Sequence, residues 1–407
     1  MDKQLGAIMD NDFIKAEVSK IFDETVKIRR DIHMNPELGF EETETSQKIK
    51  AFLAEYGLEV KSAAGTGIVG ILHNSSGTVA ACRADIDALP ITEENEVEYK
   101  SKTAGKMHAC GHDVHTAIQL GAVRFFAENR DKWKGTIKFI FQPAEETTGG
   151  AKPMIEEGIL ENPKVEYIFA LHAAPEIETG KFGIKYGKMH ASSDVFEIKI
   201  HGESAHGALP QNGTDAIVIA SQLINYIQTI VSRNIDPREE AVITIGKISG
   251  GKAENIICDL VEMKGTIRTL SPDIREYILD KMRNNVVKFV ETLGGKAEIF
   301  IRNGYDSVIN NDEVTAILES NIKDLYGENS IVKIDKPRMD VEDFSFFLQK
   351  AKGVFFRLGV RNEEKGIIYD LHHPRFNVDE ESIRYGMELQ IKNLISVLEM
   401  GEYEKGR

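Results

Sequence analysis

Apolar residues recur along the first third of the chain in two alternating rhythms. Phe13, Ile14, Val18, Ile21, Phe22 and Val26 return every three or four residues, which predicts a helix over 13–30 that ends before Pro36. Short apolar runs at 67–73 and 78–83 predict strands, as do 136–141 and 165–171, while 113–128 carries helical spacing. Strands that alternate with helices predict an α/β domain with a mostly parallel central sheet flanked by helices.

Near residue 190 the pattern changes. Val195, Phe196, Ile198 and Ile200 mark a half-buried strand over 194–201. It is followed by a long amphipathic helix at about 214–232, strands at 241–248 and 260–269, a helix at 272–293 and a strand at 297–301. That order predicts a compact α+β unit of βαββαβ form. Two helices would cover one face of its sheet, leaving the other face or an edge for a partner. From about 304 the α/β rhythm resumes, with a helix at 312–326, a strand at 354–358 and a last helix at 380–399. The expected organisation is one α/β domain of residues 1–190 and 304–407, interrupted by a smaller inserted α+β domain of residues 191–303.

Composition narrows the function classes. A chain of 407 residues exceeds the usual single domain, and its 42% hydrophobic content can fill a sizeable core. The net charge of −15 argues against nucleic acid or an anionic membrane as the main partner. The first ten residues hold no apolar leader core, and no run of 18 apolar residues predicts a membrane span. Three cysteines in so long a chain predict free thiols and a cytoplasmic setting, and only a free thiolate binds metal.

The densest chemistry lies at 108–116, where His108, Cys110, His112, Asp113 and His115 fall within nine residues. Imidazole, thiolate and carboxylate are metal-holding groups. Other polar groups stand where predicted strands end, the usual place for sites in open α/β sheets. Asp85 and Asp87 follow the strand at 78–83, Glu145 and Glu146 follow 136–141, His172 follows 165–171, and His372 and His373 follow a later turn. In extended backbone adjacent carboxylates point to opposite sides, so one of Glu145 and Glu146 would bind a cation and the other face a cation-bound water. Two acidic residues equally suit the start of a helix over 147–157. His33 and His73 read as structural or exposed, His201 as surface, and His190 as either.

Taken in order, these segments resemble the M20 family of metallopeptidases, closest to its amidohydrolase branch of hippurate hydrolases, N-acyl-amino-acid deacylases, N-acetyldiaminopimelate deacetylases and plant indoleacetyl-amino-acid hydrolases. The motifs are Arg29-Arg30-Asp31-Ile32-His33 with Pro36-Glu37-Leu38-Gly39, Arg83 to Pro90, Cys110-Gly111-His112-Asp113 with His115-Thr116, and Phe141 to Glu146. Ser204-Ala205-His206, Gly250-Gly251 with Asn255, Gly265 to Arg268, Glu342-Asp343-Phe344 and Leu371-His372 with Pro374 complete the set. The resemblance implies Cys110, His112, Glu146, His172 and His372 as ligands of two divalent cations, among Zn²⁺, Mn²⁺, Co²⁺ and Ni²⁺, with Glu145 as general base. His372 is preferred to His373 because the family's ligand stands two residues before the proline. His206 matches a lid histidine that reaches the neighbouring subunit's site in related dimers. Asn255 and Arg268 match lid positions that hold substrate, although strand-end hydrogen bonding and a surface cation account for them equally. Asp85 reads either as a group that orients a ligand imidazole or as a turn residue. Asp340 and Val341 depart from the small residues common in the family and border the expected substrate pocket.

The expected activity is metal-dependent hydrolysis of an N-acyl amino acid by a homodimer. The rivals are a dipeptidase or aminopeptidase of the same fold, with Asp340 as partner for a free amine, and a catalytically silent metal- or ligand-binding protein.

Overall fold

The computed structural model describes residues 9–405; residues 1–8, on which the expectation about a leader mostly falls, lie outside the described residues. Two compact units divide the chain. One holds residues 9–187, 309–335 and 346–405; the other holds Lys188–Val308 and Lys336–Ser345. Among the described residues no helix is long and apolar enough to cross a membrane.

In chain order the strands are β1 (Glu59–Ala63), β2 (Gly67–His73), β3 (Val79–Asp85), β4 (Thr136–Gln142), β5 (Tyr167–Glu178), β6 (Phe182–Ile184) and β7 (Gly187–His190). They continue with β8 (Asp194–His201), β9 (Ala241–Gly250), β10 (Leu260–Thr269), β11 (Lys296–Asn303), β12 (Val308–Asn310), β13 (Ile331–Lys333) and β14 (Lys352–Arg361). The helices are α1 (Asn11–Met34), α2 (Thr43–Glu55), α3 (His112–Glu128), α4 (Ala151–Glu156), α5 (Ala216–Asn234), α6 (Pro272–Thr292), α7 (Asp312–Tyr326), α8 (Ser345–Leu348) and α9 (Glu381–Lys405).

The first unit is built on an eight-stranded sheet in the order β1-β2-β4-β3-β5-β14-β6-β13. Its centre, β4-β3-β5-β14, is parallel, and antiparallel strands are added outside it. β2, β3 and β4 are buried almost throughout, as strands covered on both faces must be. α3 buries Val114, Ile118, Val123 and Phe126 in a core that also takes Phe139, Phe169, Phe356 and Met387.

Two sequence expectations change here. β5 does not end at Leu171: it runs through His172 to Glu178, because β14 pairs with it as far as Ala174 and, after a register shift, again at Glu178. Its register with β3 stops at Ala170, so His172 sits in the strand yet beyond the end of that ladder. The helix expected over 147–157 is only the short α4; turns occupy the stretch before it, and Ala144 adopts a left-handed φ of 56°.

The second unit is the βαββαβ form: β8, α5, β9, β10, α6 and β11 in sequence, with spatial order β11-β8-β10-β9 and every pairing antiparallel. Phe196, Ile198 and Ile200 alternate inward from β8 and meet Leu223 and Ile227 of α5 and Met282 and Val286 of α6. The Asp215 side chain caps α5 by accepting from Ile217 N–H, a contact typically worth ~1 kcal/mol. β9 is an edge strand, and Ile248 near its end is 52% exposed.

Candidate metal centre

Cys110 and His112 owe their convergence to Gly111. Its φ is +87°, and a Cβ there would lie 2.8 Å from the Ala173 side chain. Only glycine turns the chain this way without strain, so the loop enters α3 with Cys110 and His112 facing one centre. The His372 N–H donates to the Ala109 carbonyl at 2.8 Å, tethering a distant segment to the same loop. His372 itself has φ +63°, a conformation disfavoured for a residue with a side chain.

Two groups of donor atoms result, Cys110–His112–His172 and Cys110–Glu146–His372, each with its atoms within 4.8 Å of one another. They share Cys110. Cys110 Sγ lies 3.4 Å from His172 Nε2, and His372 Nε2 lies 3.2 Å from Glu146 Oε1. Ligand atoms around a tetrahedral Zn²⁺ stand about 3.3–3.6 Å apart, from bond lengths of about 2.0–2.3 Å. His112 Nε2 is buried without a hydrogen-bond partner. An orphaned ligand atom inside a soft, correctly spaced donor set fits a transition-metal ion.

The surrounding bonds fix which atoms face that centre. His112 Nδ1 lies 2.9 Å from the Asp87 carbonyl and 3.1 Å from its carboxylate. A carbonyl only accepts, so Nδ1 carries the proton and Nε2 is the ligand atom. The other Asp87 oxygen accepts from the Glu146 N–H at 3.0 Å. Asp85 holds a different imidazole, that of His115, at 2.6 Å, while Arg83 donates to its second oxygen at 2.5 Å. The sequence reading missed Asp87 as the residue that orients His112, since nothing local distinguishes it from Asp85. It also missed Arg357, which lies 3.1 Å from His172 Nδ1 and 3.2 Å from Glu176. A charged residue inside the apolar run at 354–358 was the available signal.

Electrostatics match this arrangement. Burial, then Glu146 and Glu145, pushes the Cys110 thiol well above its usual range. Burial disfavours charge on His112, but Asp85, Asp87 and Glu146 outweigh it and lift the imidazole to about 10. The negative charge that holds this extra proton equally suits a divalent cation. Burial, then Arg357 and His115, drives His172 well below the ordinary histidine value, keeping it neutral as a ligand must be. Burial raises the Asp85 carboxyl, yet Arg83, His112 and His115 carry it well below the usual range.

Glu145 is buried, and it and Glu146 each bring a carboxylate oxygen within 4.8 Å of a His112 nitrogen. They do not point to opposite sides, because the backbone there is a turn and not an extended strand. His373 stacks on Tyr369 at 4.5 Å and accepts from the Arg375 N–H, so it engages other partners than His372.

His206, Asn255, Arg268 and Asp340 lie in the second unit. His206 and Asn255 are exposed, and their loops are joined by the Gly207 N–H donating to the Asn255 carbonyl. Arg268 is at the other end of β10, half-buried, and burial lowers its pKa. Asp340 accepts from His190 Nδ1 at 2.8 Å and from Arg338 at 2.7 and 2.8 Å.

A model of peptidase family M20/M25/M40 matches residues 81–394. Thermostable carboxypeptidase 2 of Saccharolobus solfataricus is 42% identical over 379 residues, spanning 92% of this chain and 95% of that protein. The N-acetyl-L-cysteine deacetylase of Bacillus subtilis is 39% identical over 369 residues, spanning 90% and 86%. Among solved structures, the Bacillus subtilis YXEP protein, described as a dinuclear metal binding peptidase from the M20 family, matches with a TM-score of 0.80 and 33% identity over 94% of this chain and 99% of that one. With a family match across most of its length and relatives this similar, the chain belongs to peptidase family M20/M25/M40 and is a metal-dependent amidohydrolase.

Proposed function

We propose that this chain hydrolyses the amide bond of N-acyl amino acids or similar small amides, releasing a carboxylic acid and a free amino acid. The observation that carries this reading is the pair of donor groups sharing Cys110, with the Glu145 carboxylate beside them. Cys110, His112, Glu146, His172 and His372 would hold two divalent ions. When bound, such ions polarise the amide carbonyl and acidify water. Glu145 takes the proton of the attacking water and returns it to the leaving amine. Asp87 and the Ala173 carbonyl keep the ligand rings of His112 and His172 in place.

The identity of the amine side has support from two relatives. By their names, a carboxypeptidase frees a C-terminal amino acid and an N-acetyl-L-cysteine deacetylase frees cysteine, so in both the amine side of the split amide is an amino acid. The dipeptidase or aminopeptidase rival needs an acidic partner for a free amine. Asp340 is poorly suited to that task, because Arg338 and His190 already engage its carboxylate.

His206 Nδ1 accepts from the Ala208 N–H at 3.1 Å. The neutral ring therefore carries its proton on Nε2, the form that can donate to an oxyanion. We assign His206 to that role across a homodimer. The outer edge of β9, with exposed Ile248, Ile217 and Val218 in the same unit, supports a second copy as its partner. The thiolate with imidazoles favours Zn²⁺ by softness, with Mn²⁺, Co²⁺ and Ni²⁺ as further ions. The free, buried cysteines accord with a cytoplasmic setting.

The test is a substrate panel. Metal-reconstituted protein is offered N-acetyl and N-benzoyl amino acids, N-blocked dipeptides and free dipeptides. Turnover is expected on N-acylated substrates; turnover confined to free dipeptides would replace this reading with the peptidase one.

A further inference from the structure

His115 offers two ring nitrogens, and both are taken. Nδ1 lies 2.6 Å from Asp85 Oδ1, and Nε2 lies 2.8 Å from the Ala173 backbone nitrogen. A carboxylate only accepts and a backbone N–H only donates, so Nδ1 carries the proton and Nε2 receives the Ala173 hydrogen bond. Asp85 is itself held by Arg83 at 2.5 Å, and its carbonyl accepts from the Thr116 hydroxyl at 3.2 Å. Asp85, His112 and His115 together have the spacing of a cation site. With no lone pair left free on His115, its ring joins such a group only by giving up a buried hydrogen bond.

The bond to Ala173 falls where it has a structural task. β5 leaves its ladder with β3 after Ala170, and the His115 ring takes the Ala173 N–H beyond that point. Ala173 follows His172, and its carbonyl accepts from His172 Nδ1 at 2.8 Å. The two rings also meet edge to face at 4.9 Å. A single chain of bonds thus runs Arg83, Asp85, His115, Ala173, His172, and it ends with His172 Nε2 3.4 Å from Cys110 Sγ.

We propose that His115 is a positioning residue that fixes His172 through the Ala173 peptide and so sets one of the two metal subsites. The proposal rests on the two-ion reading above. It assigns His115 to the Cys110–His112–His172 group and leaves Cys110–Glu146–His372 without its support.

The test uses two amide replacements in the full-length protein. In His115→Asn the short amide reaches the Nδ1 position, so it can meet Asp85 but leaves Ala173 unpaired. In His115→Gln the longer amide brings an oxygen to the Nε2 position. Stepwise Co²⁺ or Zn²⁺ titration of metal-free protein reads each ion, and amide hydrogen exchange at Ala173 is read without metal. His115→Asn is expected to weaken one ion roughly 10–100-fold, as loss of an outer-shell partner does, and to speed Ala173 exchange. His115→Gln is expected to stay nearer wild type in both. Wild-type affinities and a protected Ala173 in His115→Asn would overturn the proposal. So would equal loss in both variants with Ala173 protected, the behaviour of a direct ligand. A wild-type chain that binds no ion overturns the metal reading instead, and Ala173 exchange in the metal-free variants then decides on His115 alone.

Discussion

Asp87 holds His112 by two atoms at once: the carbonyl oxygen lies 2.9 Å and the carboxylate 3.1 Å from Nδ1. The same carboxylate receives the Glu146 N–H. One residue therefore orients two members of the donor set. Replacing Asp87 with Ala should lower metal affinity roughly 10–100-fold while the backbone carbonyl still retains part of the ring's orientation. Isothermal titration of metal-free protein measures it, and an unchanged affinity would remove Asp87 from the account.

Glu145 is assigned proton transfer and no ligand bond. Glu145→Gln should cut kcat by roughly 10²–10⁴-fold, the usual worth of a general base, while metal content by mass spectrometry stays at the wild-type level. Near-normal turnover in this variant would refute the base assignment, and loss of metal would make Glu145 a ligand.

Gly111 is the hinge of the ligand loop. Gly111→Ala places a side chain at φ +87° and against Ala173. The left-handed conformation alone costs about 1–2 kcal/mol, and the contact with Ala173 pushes the loop away from β5. A lowered Tm together with weakened metal binding is expected. A variant with wild-type Tm and affinity would show that the loop does not depend on glycine.

His33 gives a pH signature away from the ligands. Burial and then Arg29 disfavour its charge, but Asp113 at 2.8 Å and Glu93 at 3.2 Å prevail and raise its pKa. A raised folded-state value means that the protonated ring stabilises the fold fully below the unfolded histidine pKa of about 6.5. That contribution is lost as pH rises through the folded-state value. The Tm gap between wild type and His33→Gln should therefore be widest below about pH 6.5 and narrow on the alkaline side. Parallel Tm–pH curves for the two proteins would contradict it.

The parts of the fold legible in sequence were those with strong periodicity. The alternation at 194–201 and the long strand at 260–269 end where the structure ends them, and α7 spans the expected residues. α2 was illegible because Thr43–Glu55 buries only Thr45, Ser46, Ile49 and Leu53, too polar a stripe to stand out. β1 alternates weakly, with only Ala63 buried. At the site, the motifs pointed to Cys110, His112, Glu146, His172 and His372, which the fold does gather into adjoining groups. The supporting neighbours were hidden. Whether Asp85 or Asp87 meets His112 depends on how β3 docks against α3, and Arg357 reaches His172 from a strand 185 positions away. Such partners are set by tertiary register, which no local spacing encodes.

The central claim, amide hydrolysis that depends on the ions held around Cys110, is tested most directly by titrating metal-free protein with Zn²⁺, Mn²⁺, Co²⁺ or Ni²⁺ while following release of a free amino acid from an N-acetyl amino acid. Activity should be absent without metal and rise to a plateau at two ions per chain, and Cys110→Ala should abolish that rise. Full turnover without metal, or a Cys110→Ala variant that reaches the same plateau, would contradict the account.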